Sequence, residues 1–378
     1  MKFVTPALNT SRRFSPNMVS AHELMLLGKN GKKGNVTDKR YAVPAFNVTT
    51  YQAIDAVMEA AESLGSSVLL AFSNSALKHF GRGDAIRGLE FVSQYVELAA
   101  KYSSVKVATH LDHGDYIDEK GRKVVQAAVR TLTSVMADNS TDHKTEQATE
   151  LSVNIEATRE VVMMAHPQGV SVEGELGVLA GVEDEDTQSE TSTYTDPKEL
   201  ERFLIETGVL MLAPTIGTMH GPNKGKPGTK VKLNIELAHE CLKIADKINK
   251  DIMFVAHGAS TLYPAVIQYA VENLKHLGAA SEHVNTWQNF VGTDWDQIEG
   301  LIQAGFCKIN TDTENRQTYV AAMIGALKAN AAKIDIRHYD KITSKALVQS
   351  YQQKLIMSGN IGVWHAPKID VGAFKFAL

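Results

Sequence analysis

Residues 105–115 read VKVATHLDHGD, an apolar segment that ends in a run of polar side chains. Val105, Val107 and Ala108 favour a buried strand, because β-branched and other apolar residues fill the faces of a covered sheet. Imidazole and carboxylate groups are costly to bury unless they are paired, so their position at the end of the strand indicates a site. Imidazole nitrogens bind Zn²⁺, and a neighbouring carboxylate can act as an acid or a base. Taken alone, the motif leaves open a purely structural role, in which hydrogen bonds satisfy the histidines.

The alternation of apolar segments and helical patterns continues on both sides of this stretch. Eight strand-like segments are predicted, at residues 41–48, 66–74, 105–113, 134–140, 170–177, 209–217, 251–260 and 305–313. Helices are predicted between most of them, at residues 51–64, 88–101, 120–131, 145–165, 234–248 and 315–333. Strands that alternate with helices predict a parallel sheet, and eight such units predict a closed (β/α)8 barrel of the α/β class. The competing architecture, an open doubly wound sheet, usually carries a glycine fingerprint after its first strand, where this chain has Asn47-Val-Thr-Thr.

No linker or low-complexity segment divides the chain, which predicts a single domain. The barrel is expected over residues 41–333. It follows an N-terminal helix and loop at residues 1–40 and precedes a C-terminal helical tail, residues 334–378, that is expected to pack on the barrel.

Two helix starts are clear in the sequence. Ser20 and Glu23 match a capping box, so a short helix is predicted to begin there. Asp196 is predicted to be the N-cap of another helix, because Pro197 follows it at a position where proline is favoured. The polar segment before this second helix, residues 178–194, is predicted to be a loop.

The composition excludes several classes of function. With 378 residues, 44% of them hydrophobic and 22% charged, the chain can bury a large core. Its net charge of −4 gives no basic face for nucleic acid or an anionic membrane, and no apolar run is long enough to span a bilayer. Cys241 and Cys307 lie in apolar surroundings, which predicts reduced thiols in a reducing compartment. The cytoplasm is therefore the expected location, with an organellar transit segment as the alternative, because residues 1–20 are basic and poor in acidic residues.

Residues that can bind metals or substrates stand at the ends of the predicted strands. They are Asn47, Ser73, Asp112, His113, Asp138, Glu175, His257 and Asn310, with His220 shortly after the sixth strand. Active sites of (β/α)8 barrels lie at the C-terminal ends of the strands, so these side chains are expected to converge. Three separated histidines, His113, His220 and His257, predict a catalytic zinc site with three protein ligands and an open position.

A phosphate site is predicted on the seventh and eighth units. Residues 257–260 (HGAS) and 310–313 (NTDT) are short polar connections at the point where barrels bind phosphate through loop amides and a helix N-terminus. Arg316 follows within a turn and could add a bidentate charge. The competing interpretation is that these segments are simple N-caps. An acidic segment, residues 183–186, follows the fifth strand, and one of its carboxylates could close over a substrate.

Between Tyr41 and Arg316 the chain resembles the class II, metal-dependent fructose-bisphosphate aldolases. The motifs YAVPAFNV, HLDHG, EGELG, MHG, HGAS and NTDT occur in the order in which that family carries them. The HLDHG form resembles the branch that includes many bacterial sugar-bisphosphate aldolases. The resemblance implies a zinc-dependent lyase that reversibly cleaves fructose 1,6-bisphosphate to dihydroxyacetone phosphate and glyceraldehyde 3-phosphate, in glycolysis, gluconeogenesis or carbon fixation. It also implies a homodimer or homotetramer.

The resemblance further implies roles at the metal site. The catalytic zinc ligands would be His113, His220 and His257. Three other residues would lie near the metal or hold it in an alternative, buried position: His110, Asp138 and Glu175. The resemblance also implies a monovalent cation, Na⁺ or K⁺, beside the first phosphate.

The resemblance assigns the acid–base and substrate contacts as well. Asp112 would act as the acid or base at the C4 hydroxyl of the sugar, and the loop residue Glu183 would take part in proton transfer at the dihydroxyacetone carbon. The substrate- and phosphate-binding residues would be Asn47, Ser73, Gly221, Gly258, Ser260, Asn310, Asp312, Thr313 and Arg316, with another arginine as an alternative to Arg316.

Three features depart from the family pattern. Ala180, Gly181 and Val182 precede Glu183 where two adjacent glycines are usual. Residues 261–295 are longer than the family's corresponding segment, and the forty residues before the first strand are extra.

Other activities remain open at this stage. The nearest is cleavage of tagatose 1,6-bisphosphate or sedoheptulose 1,7-bisphosphate at the same site. A zinc hydrolase on the same barrel would more typically hold its metal through a His-x-His pair on the first strand, which here ends in Phe46 and Asn47. A metal-binding or assembly protein derived from an aldolase would be expected to have lost Asp112 or a histidine. In a covalent aldolase Lys308 would be the Schiff-base lysine, and the three histidines would then have no role.

Overall fold

The computed structural model describes residues 5–9, 14–30, 40–142, 147–178, 180–183, 187–189, 193–221, 224 and 230–378. Eight parallel strands form a closed barrel and pair in chain order around it. They are β1 (Val43–Asn47), β2 (Val68–Phe72), β3 (Val107–Gly114), β4 (Ser134–Ala137), β5 (Ser171–Leu176), β6 (Met211–Pro214), β7 (Met253–Ala256) and β8 (Phe306–Thr311). The barrel closes where β8 pairs with β1, with Lys308 opposite Val43. The predicted (β/α)8 barrel is confirmed.

Helices surround the barrel and connect its strands. They are α1 (Ala21–Lys29), α2 (Tyr51–Leu64), α3 (Asn74–Phe80), α4 (Ala85–Tyr102), α5 (Glu119–Thr131), α6 (Leu151–Ala165), α7 (Pro197–Thr207), α8 (Ile235–Ile248), α9 (Pro264–His276), α10 (Ser281–Gln288), α11 (Trp295–Ala304), α12 (Thr313–Asn330) and α13 (Ile336–Met357). No helix in the described ranges combines the length and apolar character that crossing a membrane requires.

Local capping signals begin the helices where the sequence predicts them. The Ser20 hydroxyl accepts a hydrogen bond from the Glu23 amide at 3.2 Å, and α1 starts at the next residue, Ala21. The Asp196 carboxylate accepts from the Lys198 amide at 2.8 Å, and Pro197 is the first residue of α7. Both predicted helix starts are therefore confirmed. Each such cap contributes about 1 kcal/mol to helix stability.

Other segments differ from the prediction. The helix expected from residue 145 begins at Leu151, because Gln147–Ala148 pairs antiparallel with Thr141–Asp142 instead. The predicted loop 178–194 contains two short strands, Ala180–Glu183 and Thr187–Ser189, which pair antiparallel. The segment between β7 and β8 carries three helices, α9, α10 and α11, that the sequence analysis did not assign.

A cluster of buried apolar side chains closes the N-terminal end of the barrel. Val19 and Met25, from the segment that leads into and through α1, pack with interior residues of the strands such as Met211 and Val255. The backbone of Val19 is hydrogen-bonded to Val107, at the beginning of β3. Helix α13 packs against α2 and α12. The polar residues at the C-terminal ends of the strands therefore lie at the opposite end of the barrel from this apolar cluster.

Candidate metal and active site

The end of β3 turns His113 toward the centre of the barrel. His113 has a φ of +49°, a left-handed conformation that is uncommon outside glycine. The pairing of β3 with β4 shifts register between Leu111 and Gly114, and irregularities of this kind re-aim side chains at barrel rims. The His113 ring consequently lies edge-on to the His257 ring, with 4.6 Å between centroids.

His113 belongs to two groups of residues that could hold a metal ion. One group is Asp112, His113 and His257, and the other is His113, Asp138 and Glu175. Within each group the candidate ligand atoms lie within 4.8 Å of one another. Imidazole nitrogens and carboxylate oxygens in such sets suit Zn²⁺, so the residues present fit the metal that the sequence predicts.

Asp138 fixes the orientation of the His113 ring. The Nδ1 atom of His113 lies 2.7 Å from Asp138 Oδ2. The other Asp138 oxygen accepts hydrogen bonds from the Ser140 amide at 3.2 Å and the Ser140 hydroxyl at 2.8 Å. Burial alone would raise the pKa of Asp138, but these hydrogen bonds and the charge of His113 hold that pKa well below its usual range. The carboxylate therefore accepts the Nδ1 hydrogen, so Nε2 is the nitrogen of His113 that could bind a metal ion.

Asp112 is buried and held by the ends of two other strands. Its Oδ2 accepts from the Asn47 side-chain amide at 2.7 Å, and its Oδ1 accepts from Asn310 at 3.0 Å. Burial raises the pKa of Asp112, but the neighbouring His113, His257 and Lys308 charges outweigh this effect and hold it well below the usual range. The structure thus brings together Asn47, Asp112 and Asn310 from β1, β3 and β8, with an ionised carboxylate between them.

A second polar cluster lies inside the barrel and contacts His257 from within. Glu173 Oε1 lies 2.8 Å from His257 Nε2, and Glu173 Oε2 accepts from Lys308 Nζ at 2.7 Å. The Lys308 ammonium also lies 3.2 Å from His110 Nε2. Burial raises the pKa of Glu173, but the charge of Lys308 and the hydrogen bond from His257 outweigh it and bring the pKa to about 2.

His110 lies in this inner cluster and belongs to neither metal-holding group of the described residues. Its Nδ1 is 2.8 Å from the Ser134 hydroxyl, and its Nε2 faces Lys308. Burial, and then the charge of Lys308, lower the pKa of His110 to about 3. The ring is therefore neutral, and both of its nitrogens are used in hydrogen bonds.

The connections after β7 and β8, where the phosphate site is predicted, lie against each other. The Ser260 hydroxyl accepts from the Asp312 amide at 3.1 Å. Helix α12 begins at Thr313, and Asp312 forms an ion pair with Arg316 at 2.8 Å. Arg316 is thus directed at Asp312, and both side chains are partly exposed.

Two other predicted substrate residues have well-defined local environments. Gly221 has a φ of +78°, which favours glycine. Ser73 caps α3, and its hydroxyl accepts from the Ala76 amide at 3.3 Å. The predicted role of Ser73 in substrate contact would add to this capping role.

Two predicted catalytic side chains lie outside the described part of the structure. The side chains of His220 and Glu183 are not described, although their backbones form the parallel strands Met219–His220 and Ala180–Glu183. Gly258, with a φ of +61°, lies so close to the first of these strands that a Cβ there would be 2.4 Å from the Met219 carbonyl oxygen. The backbone next to His220 therefore lies beside the residue that follows His257.

A Gly258→Ala substitution should lower the free energy of unfolding by more than the left-handed backbone alone explains. The new Cβ would meet backbone atoms of Met219, which cannot move aside as a flexible side chain could. A total cost of roughly 2–4 kcal/mol is expected, of which about 1 kcal/mol is backbone strain. Gly278→Ala is the matched control, because Gly278 has a φ of +73° and nothing within 4 Å of its Cβ position. Urea unfolding of both variants measures the difference, and equal losses would contradict the close approach.

Comparison with known proteins identifies the family. The sequence model of the class-II fructose-bisphosphate aldolases matches residues 34–363. The chain belongs to the class-II fructose-bisphosphate aldolase family. A fructose-bisphosphate aldolase of Thermus caldophilus is 33% identical over 323 residues, covering 85% of this chain and 94% of the relative. One from Helicobacter pylori strain J99 is 31% identical over 346 residues, covering 91% and 98%.

Solved structures agree on the fold of this aldolase family member. The fructose-bisphosphate aldolase of Campylobacter jejuni aligns with a TM-score of 0.68 at 21% identity, covering 92% of this chain and 96% of that one. A putative fructose-1,6-bisphosphate aldolase from Coccidioides immitis aligns with a TM-score of 0.65 at 20% identity, covering 93% and 99%. The family consists of lyases, and the expectation of an aldolase is confirmed.

Two buried charged residues of this class-II aldolase were missed in the sequence analysis. Glu173 contacts His257, and its signal was its spacing: Glu173 and Glu175 are two apart on β5 and point to the same face. Gly174 between them faces outward, where a Cβ would meet the Phe203 ring of α7 at 2.9 Å. Lys224 donates to the Gly258 carbonyl and is almost completely buried, and burial lowers its pKa to about 7. A lysine in a polar loop carries no local signal of such burial.

Proposed function

We propose that this class-II aldolase reversibly cleaves fructose 1,6-bisphosphate to dihydroxyacetone phosphate and glyceraldehyde 3-phosphate with a zinc ion at the C-terminal end of the barrel. The observation that carries the proposal is the convergence of Asp112, His113 and His257 on one position. Membership of the family supports the aldol reaction. The names of the curated relatives support the substrate.

The zinc ion would be held by His113 and His257, with His220 as the proposed third ligand. Asp138 and Glu175 would hold it in a second, more buried position that shares His113. His110 would lie near the metal site, in contact with Lys308. When bound, zinc acts as a Lewis acid that polarises a carbonyl oxygen. The three-ligand arrangement leaves a position open for the ketone oxygen of the substrate.

Asp112 is the proposed acid–base residue. In cleavage it accepts the proton of the C4 hydroxyl as the C3–C4 bond breaks, and in synthesis it returns that proton to the new C4 oxygen. Asn47 and Asn310 hold its two oxygens at 2.7 and 3.0 Å, so the carboxylate is positioned before the substrate arrives. Glu183 is proposed to exchange the proton at the dihydroxyacetone carbon.

Two phosphate groups would hold the reacting carbons over the metal. One would bind to the loop amides at Gly221, Gly258 and Ser260 and to the start of α12, at Asp312 and Thr313. Asn310 and Ser73 would contact the sugar between the phosphates. Arg316, or another arginine, would bind the second phosphate, after exchanging its ion pair with Asp312 for the ligand.

A monovalent cation at the first phosphate is also proposed, with one constraint from the structure. The Gly258 carbonyl already accepts hydrogen bonds from Lys224 and from the Thr293 hydroxyl. A Na⁺ or K⁺ ion at this carbonyl would compete with the Lys224 ammonium. We further propose that the enzyme works in the cytoplasm, as the sequence composition predicts, and that it is a homodimer or homotetramer, as the family resemblance implies.

Removal of the metal should abolish cleavage of fructose 1,6-bisphosphate. The assay couples product formation to triose-phosphate detection before and after EDTA treatment. Activity should fall to background after chelation and return when zinc is added, because no other group in the described site can polarise the ketone equally well. Tagatose 1,6- and sedoheptulose 1,7-bisphosphate are tested in parallel to establish the preferred sugar.

The same preparations test the covalent alternative. A Schiff base requires a neutral lysine within reach of the substrate, whereas the Lys308 side chain is fully buried and ion-paired with Glu173. Borohydride with substrate should therefore leave the activity intact. Activity that survives EDTA and is lost to borohydride would overturn the zinc mechanism.

A further inference from the structure

The barrel interior holds a buried ion pair, Glu173 and Lys308, whose presence is not explained by a contribution to the stability of the fold. The side chains of Glu173 and Lys308 are fully buried on β5 and β8, and their charged atoms lie 2.7 Å apart. Replacing such a pair by apolar residues of similar volume is often neutral or stabilising. The second oxygen of Glu173 indicates a different role, because it contacts a proposed metal ligand.

That oxygen determines which nitrogen of His257 carries the hydrogen. A carboxylate only accepts hydrogen bonds, and Glu173 Oε1 lies 2.8 Å from His257 Nε2. Nε2 is therefore the protonated nitrogen. Asn310 Nδ2 lies 3.3 Å from the same atom, a longer contact than the 2.8 Å to Glu173, and one of its two amide hydrogens is donated to Asp112 at 3.0 Å.

The lone pair of the His257 ring is consequently on Nδ1. This atom lies 3.6 Å from Glu175 Oε2, a member of the second metal-holding group. Nδ1 thus faces the metal-holding residues, while Nε2 faces the barrel interior. Because Lys308 and the His257 N–H are both donors, they occupy the two oxygens of one carboxylate and fix its plane.

We propose that Glu173 is a positioning residue for the metal site: it holds His257 in the Nε2-protonated tautomer so that Nδ1 binds the metal, and Lys308 holds Glu173 in the required orientation. This inference rests on the proposed zinc site. Histidines that bind metals usually donate their other N–H to a carboxylate or a carbonyl, and loss of that partner weakens metal binding by about 10–100-fold.

The direct test is Glu173→Gln. Glutamine offers one acceptor and one donor where glutamate offers two acceptors, while both neighbours are donors. If the amide oxygen faces Lys308, the amide NH₂ faces His257 and favours the tautomer with hydrogen on Nδ1. The zinc Kd of the apoprotein, measured by competition with a chromogenic chelator, should rise about 10–100-fold. The ¹⁵N resonances of histidine-labelled protein should show a change of tautomer at His257.

Glu314→Gln is the matched control. Glu314 and Lys354 form another fully buried pair at 2.7 Å, and Glu314 contacts the Thr261 amide and belongs to neither metal-holding group of the described residues. The control makes the same chemical change at the same burial, so it has the same effect on charge balance. Its zinc Kd should equal that of the wild type.

The double variant Glu173→Leu/Lys308→Met separates positioning from folding. It removes both charges together and should remain folded, with a melting temperature close to that of wild-type apoprotein. If Glu173 positions His257, this variant is folded but its zinc Kd is higher than that of the wild type.

Weak zinc binding by both Glu173 variants, with normal binding by Glu314→Gln, supports the inference. Wild-type zinc affinity in Glu173→Gln or in the double variant overturns it and leaves the zinc site itself intact. A wild-type protein that binds no zinc would instead overturn the proposed function.

Discussion

Replacing Asp112 with asparagine should lower kcat for cleavage of fructose 1,6-bisphosphate by about 10²–10⁴-fold, the usual effect of losing a positioned acid–base group. The Asp112 carboxylate accepts from Asn47 at 2.7 Å and from Asn310 at 3.0 Å. Asparagine keeps the shape of the side chain but cannot take up a proton at neutral pH. KM should change little, because the substitution leaves the proposed phosphate-binding loops intact. The measurement is a coupled cleavage assay on zinc-loaded enzyme.

The zinc content of the same preparation decides how that result is interpreted. Asp112 also belongs to a metal-holding group with His113 and His257. A variant that binds zinc normally and has low kcat identifies Asp112 as the acid–base residue, whereas a variant that has lost zinc identifies it as a ligand. Asp246→Asn is the control, because Asp246 is an exposed residue of α8 that pairs with Lys29 at 3.0 Å. Full kcat in Asp112→Asn would contradict the proposed role.

The placement of polar residues at strand ends could be predicted from the sequence, because it depends on local patterns. Parallel strands are apolar along their length, so the first polar residue after each apolar run marks the rim. Asn47, Asp112 and Asn310 were predicted in this way, and the structure brings their side chains within hydrogen-bonding distance. Helix starts such as Ser20 and Asp196 were predictable for the same reason, since a cap needs only a few neighbouring residues.

Contacts between distant strands could not be predicted in this way. Glu173 and Lys308 are 135 positions apart and pair across the barrel interior, and neither neighbourhood in the sequence indicates the other. Lys308 lies in an apolar strand, where its buried charge suggested a reactive lysine. In the structure Glu173 neutralises that charge, and the His110 ring lies 3.2 Å from the ammonium. The left-handed backbone of His113 was equally unpredictable, because it follows from the register shift between β3 and β4.

His113→Asn should remove zinc from the protein, since His113 is the residue that both metal-holding groups share. Asparagine is chosen because it tolerates the left-handed backbone at this position, φ +49°, better than most residues. Its shorter side chain can still donate to Asp138 but offers no imidazole nitrogen to the metal. After dialysis, zinc should fall from about one ion per chain to nearly none. The specificity constant kcat/KM should fall by at least about 10³-fold, which corresponds to the several kcal/mol that a Lewis-acid metal contributes.

His276→Asn is the control for this variant, because His276 is exposed at the end of α9. It should bind zinc and cleave substrate as the wild type does. A melting temperature of His113→Asn close to that of wild-type apoprotein would show that the loss is specific to the metal, because folding does not depend on the imidazole. If His113→Asn kept its zinc and its activity, the metal would have to lie away from the end of β3. The two-position arrangement around His113 would then be wrong, and with it the assignment of Asp138 and Glu175 to the second position.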